Sequence, residues 1–171
     1  MSVNGQPVGS VEDSSVSDKS VADWLSDTEQ AAWRSFVDGS HELIGALDRA
    51  LNADAGLSFE EYRILVILSE NDTLRMSDLS RGGLASRSTV SRQVSRLVER
   101  GDVERLPDIN DARNRLVRIS DLGRERLHEA AKDHVRLVRR YMFDHLTSEQ
   151  VVEMTRILTT VRNTIDGPDV R

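Results

Sequence analysis

Apolar residues recur every three or four positions along most of this chain, and the recurrence marks out a series of helices. Trp33, Val37, Ile44, Leu47 and Leu51 run at a near-3.5 spacing, with Ser40 filling one step. Ser26-x-x-Glu29 ahead of them is a capping-box pattern. Together they predict a helix from 26 to about 53, roughly 40 Å long at 1.5 Å per residue. Trp24 and Leu25 extend the same seam. Ala55-Gly56 breaks the run, and Ser58-x-x-Glu61 opens a second helix with Phe59, Tyr62, Leu65 and Val66 inward, ending near Asn71-Asp72. Residues 76–80 predict a short third helix with Ser77 as cap and Leu79 as anchor, and 81–85 form a turn. Residues 86–101, SRSTVSRQVSRLVERG, then carry Val90, Val94, Leu97 and Val98 on one stripe, and Gly101 supplies a left-handed stop.

Beyond Gly101 the period shortens to that of a strand. Residues 102–106 (DVERL) alternate, with Val103 and Leu106 apolar, and 116–119 (LVRI) form a second β-prone run. The intervening residues 107–115 have the composition of a loop tip. Ser120 caps a further helix from about 121 to 145, and Thr147-x-x-Gln150 caps the last. In that last helix Val151, Met154, Leu158, Val161 and Ile165 are spaced 3, 4, 3 and 4, a heptad seam. The fold class is therefore mainly α with a small β-wing: a winged helix-turn-helix at 55–120, flanked by long helices at 23–54 and 121–166. Residues 1–22, without periodicity, are expected to be disordered, and 167–171 to be a tail.

The polar face of 86–101 is unusual for a solvated helix. It presents Ser88, Ser91, Arg92 and Ser95, with no acid before Glu99. Short hydroxyls let a backbone approach a polyanion, and guanidinium forks suit guanine edges and phosphates. The plain alternative is an amphipathic helix with a basic surface. The ribbon that follows favours DNA, because Arg113 and Arg115 near its tip could reach a minor groove while the helix occupies the major groove. Charge agrees. Residues 1–74 hold four Lys/Arg against fourteen Asp/Glu, 75–126 twelve against eight, and 127–171 seven against seven, so the overall −6 hides a basic centre.

The chain contains no cysteine, which excludes disulfides and thiolate metal sites. His41, His128, His134 and His145 lack tight ligand spacing, so no metal and no cofactor are expected. Residues 1–20 have neither the basic start nor the apolar run of a signal peptide, and no stretch reaches the ~20 apolar residues of a membrane span; a cytoplasmic protein is expected. Nucleophile elbow, P-loop and dinucleotide glycine patterns are absent, which argues against an enzyme. The flanking seams expose more apolar surface than one thin domain covers, pointing to a two-fold homodimer on a pseudo-palindromic double-stranded site.

The ordered set of Leu57-Ser58, 75–79 (RMSDL), 88–92 (STVSR) with Leu97 and Arg100-Gly101, the wing segment 108–113 and Leu122-Gly123-Arg124 resembles the MarR family, over residues 26–165. The resemblance implies a homodimeric winged-helix transcription regulator, often a repressor released by a small anionic or phenolic ligand. By position it implies DNA contacts from Arg87, Ser88, Thr89, Ser91 and Arg92, with Arg96 and Arg115 counted beside them. It also implies a wing pair in which Asp111 orients Arg113. Ala112 stands where another arginine is frequent. The family's ligand crevice would be lined here by Trp33, His41, Tyr62 and Arg63, and Arg63 would favour an anion; core packing is the alternative for Trp33 and Tyr62. The rival reading is a winged-helix module that binds protein and not DNA.

Overall fold

The computed structural model describes residues 24–81, 86–108 and 115–166. The chain divides into two compact units, 1–37 and 38–171. Helix α1 (Asp27–Ala55) begins in the first. There Ser26 forms the anticipated box: its amide and hydroxyl both donate to Glu29 Oε2, at 2.8 and 2.6 Å.

In the second unit α1 ends at Gly56, whose φ of 64° suits a residue without a Cβ. Helix α2 (Phe59–Ser69) follows, with Ser58 and Glu61 exchanging both bonds of a capping box. Asp48 of α1 accepts the Phe59 amide at 2.7 Å, so the end of one helix caps the start of the next. Helix α2 stops at Ser69, two residues short of the sequence expectation; Asn71 instead returns its side-chain amide to the Ile67 carbonyl. Strand β1 (Leu74–Arg75) and helix α3 (Met76–Arg81) come next. Because α3 already begins at Met76, Ser77 lies inside it and is not its cap.

Helix α4 (Arg87–Glu99) leads into β2 (Val103–Pro107) and β3 (Arg115–Ile119). The expected two-stranded ribbon is three-stranded, in the order β1-β3-β2, because Leu74 and Arg75 pair with Val117 and Leu116. Helix α5 (Asp121–Tyr141) ends four residues before the anticipated 145, where a 3₁₀ turn, Phe143–His145, intervenes. Helix α6 (Ser148–Asp166) is capped as predicted, Thr147 and Gln150 exchanging bonds.

The core gathers the inward stripes of α2, α3, α4 and the wing. Leu65, Leu79, Val94, Leu97 and Val117 are all essentially fully buried, and Leu127 and Ala130 of α5 close it. Fully burying one such side chain is worth about 1.5–3 kcal/mol, so this cluster fixes α4 against the rest of the unit.

Candidate nucleic-acid interface

Helix α4 is held from one side only. Val90, Val94 and Leu97 are buried, while Arg87, Ser88, Ser91, Arg92 and Arg96 are exposed and Thr89 is half-buried. Ser86 caps it, accepting the Thr89 amide at 3.3 Å, and its hydroxyl lies 3.0 Å from that of Ser88 and 2.9 Å from that of Thr89. The first turn is thus a cluster of hydroxyls at the positive end of a helix dipole, suited to an anion. Among the described residues, none of Arg87, Arg92 and Arg96 is in an ion pair.

The wing is tied to this helix directly, since Arg105 of β2 donates to Ser95 Oγ at 2.8 Å. Toward its far end Arg75 reaches the buried Asp108 at 3.2 Å, joining β1 to the residue that follows β2. Arg115, exposed at the start of β3, pairs in register with Pro107. Asp111 and Arg113, and the turn glycines Gly82 and Gly83, lie outside the described residues.

Behind α4 sits a set of charges that pattern reading missed. Gly101 turns the chain with φ 80°, and Asp102 follows, 0% exposed. Its Oδ1 accepts a hydrogen bond from Arg126 Nε at 2.8 Å. Its Oδ2 lies 3.3 Å from Arg100 Nε, an ion-pair contact off the hydrogen-bond axis. Arg100 continues to the buried Glu61, Nη2 to Oε2 3.1 Å, and to the Gly56 carbonyl at 2.8 Å. The α5 cap closes the same corner: the Ser120 amide donates to the Asp102 carbonyl at 3.0 Å, and its hydroxyl to the Gly101 carbonyl at 2.6 Å. A Cβ on Gly123 would run into that Asp102 carbonyl.

Comparison with known proteins meets this geometry. The MarR family model matches residues 55–114. Sco3205, a MarR family transcriptional regulator from Streptomyces coelicolor solved in complex with DNA, is 35% identical, with 85% of this chain and 92% of that one covered and a TM-score of 0.82. AbsC, another MarR family transcriptional regulator from S. coelicolor, is 34% identical over 84% of this chain and 98% of its own, with a TM-score of 0.78. The chain belongs to the MarR family. The transcriptional repressor IacR of Pseudomonas putida is also similar, 31% identical over 64% of this chain and 65% of its own length. All three relatives are named as regulators or repressors of transcription, and none as an enzyme.

In this MarR family chain a cavity of about 390 Å³ lies between the second half of α1 and α5, and a larger, shallower one of about 540 Å³ lies along α5 beside Val135, Val138 and Phe143. Leu47, Leu51, Ala130 and Leu137 give the first its apolar walls, and Asp54, Glu129, Asp133, Arg126 and His134 add polar groups. Glu129 and Asp133 are each paired at 2.7 Å, with Lys132 and Arg136. None of Trp33, His41, Tyr62 and Arg63 lines it. Trp33, 59% exposed, is not core within its unit and borders a separate pocket of about 220 Å³ beside Trp24 and Leu25. His41 is exposed and Arg63 half-buried. Tyr62 is buried and packs on His134, ring centres 4.4 Å apart and planes tilted by 39°. Burial raises the Tyr62 pKa and lowers that of His134. The guanidinium that faces the cavity is Arg126, which pattern reading did not single out.

Among the described residues no group of three His, Asp or Glu could hold a metal ion, and no helix is long and apolar enough to cross a membrane.

Proposed function

We propose that this chain is a cytoplasmic, homodimeric, sequence-specific DNA-binding repressor that releases its operator when a small molecule occupies the cavity between α1 and α5. The observation that carries the DNA reading is the outward face of α4, where three arginines without carboxylate partners among the described residues stand among serine hydroxyls beside a wing. Arg92 and Arg96 read base edges, Arg87 and the Ser86–Thr89 cluster hold phosphate, and Arg113, oriented by Asp111, enters the minor groove with Arg115 at its edge. That Sco3205 was solved on DNA supports this assignment. The name of IacR supports the repressor sense.

The dimer is supported by apolar side chains left in water. On α6, Leu158, Val161 and Ile165 are 41, 51 and 64% exposed at heptad spacing. In the first unit Trp24, Trp33 and Phe36 are exposed as well. A second copy covers such seams symmetrically and sets two α4 helices about one DNA turn, roughly 34 Å, apart.

The test is a gel-shift series on DNA upstream of the protein's own gene. Arg92→Ala should cost about 1–3 kcal/mol of binding, and Arg113→Ala should weaken it too. Wild-type affinity should fall steeply with salt. Unchanged affinity in both variants would favour a protein-binding module instead.

A further inference from the structure

We infer that Arg126 is a positioning residue for DNA binding, relaying the state of the α1–α5 cavity to α4 through the buried carboxylate of Asp102. The inference rests on the DNA-binding reading above. Arg126 has two faces. Its side chain, 33% exposed, forms part of the cavity wall. Its Nε makes the only side-chain hydrogen bond that the Asp102 carboxylate receives among the described residues, at 2.8 Å. Asp102 is fully buried, so losing a partner is costly there. The remaining partner, Arg100, touches it off-axis and also serves Glu61 and the Gly56 carbonyl.

Asp102 is also the residue on which α4 ends. Its amide donates to the Leu97 carbonyl at 2.9 Å, and the left-handed Gly101 stands between it and the helix. Its own carbonyl is bonded to the Ser120 amide at the head of α5. Moving the Arg126 guanidinium therefore leaves a buried anion short of a partner at the point where α4 is bolted to α5. A close-packed interior answers such a change by shifting an element and not by stretching. The element that answers is α4, whose outward residues Arg87, Ser88, Ser91, Arg92 and Arg96 are exposed.

The test needs no identified effector. In Arg126→Met the DNA affinity should fall about tenfold or more, while the dimer mass by light scattering is kept. Adding Asp102→Asn removes the orphaned charge and should restore most of the affinity. Rescue would identify the unpaired Asp102 charge as the cause of the loss; filling the cavity then separates a relay from a merely structural pair. The cavity is then filled from α1 with Ala50→Phe, or with Ala50→Leu if the larger ring prevents folding. In the wild-type background this should lower DNA affinity about tenfold, within the usual range of coupling between sites. In the Asp102→Asn/Arg126→Met background the loss should be less than about twofold. Equal losses in both backgrounds, or Arg126→Met binding as tightly as wild type, would overturn the relay and leave the DNA reading intact. If the wild-type protein binds no DNA, the reading beneath the relay fails and the relay with it.

Discussion

Residues 57–119 and helix α6 carry the same kind of apolar periodicity and meet opposite fates. In the first, Leu57, Leu65, Leu68, Val94, Leu97 and Val117 have no exposed surface. Among the described residues of α6, 148–165, none is buried, and only Val151 and Met154 reach intermediate exposure. The difference lies in what each stripe meets. The stripe of α4 faces α2, α3 and the wing, all supplied by its own chain, whereas the stripe of α6 ends in open surface. Periodicity reports that a face is built to be covered, and it is silent about which molecule covers it.

The sharpest way to break that contrast is to charge the open seam. Leu158→Glu should give monomers and, with one α4 helix left per particle, lower operator affinity by about 10²–10⁴-fold, the range lost when two linked contacts become one. Light scattering that finds the dimer intact would remove α6 from the interface. The closed stripe should respond otherwise. Leu97→Ala should cost about 2–5 kcal/mol of folding stability by opening a cavity in a core that cannot collapse around it. That cost should appear as a lowered Tm at every protein concentration, whereas a seam substitution should make Tm depend on concentration.

The parts of the molecule that could be read from the chain are those written locally. Capping boxes at Ser26, Ser58 and Thr147 each involve residues three apart, and all three form. The α4 stripe repeats within one helix, and of the four members that the spacing names, Val90, Val94 and Leu97 are buried and Val98 is half-buried. What escaped is non-local. Strand β1 is two residues long and exists through pairing with β3, some forty positions later, so no propensity announces it. Asp102 opens the alternating run 102–106, and nothing in that run announces its burial or its bond to Arg126, 24 residues on. Arg63 drew attention as a cation on α2, but the guanidinium at the cavity belongs to α5.

Gly123 tests that hidden corner at a smaller scale. With no Cβ, it lets the first turn of α5 sit against the Asp102 carbonyl and Ile119. Gly123→Ala should overpack the contact and cost about 1–3 kcal/mol, read as a lower urea midpoint with an unchanged slope. A neutral result would mean that α5 can slide away from α4 without loss, which would also weaken the case for rigid coupling between them.

The smallest expected effect concerns acid, and it separates the closed core from the open seam once more. His134 packs on Tyr62 and Phe59, its Nδ1 is buried without a hydrogen-bond partner among the described residues, and burial lowers its pKa below the ordinary 6.5. The unfolded chain takes up a proton as pH falls through 6.5, while the folded protein resists it until lower pH. The unfolded state therefore binds more protons in that window, and stability declines as pH falls into it. The ring is only partly buried, so solvent screening keeps the effect modest, a Tm change of less than about 3 °C at this chain length. His134→Gln, which cannot titrate, should flatten that part of the Tm curve between pH 7.5 and 5.5. If wild type and variant lose stability in parallel across this range, the proton is taken up elsewhere and the packing of His134 on Tyr62 is neutral toward pH.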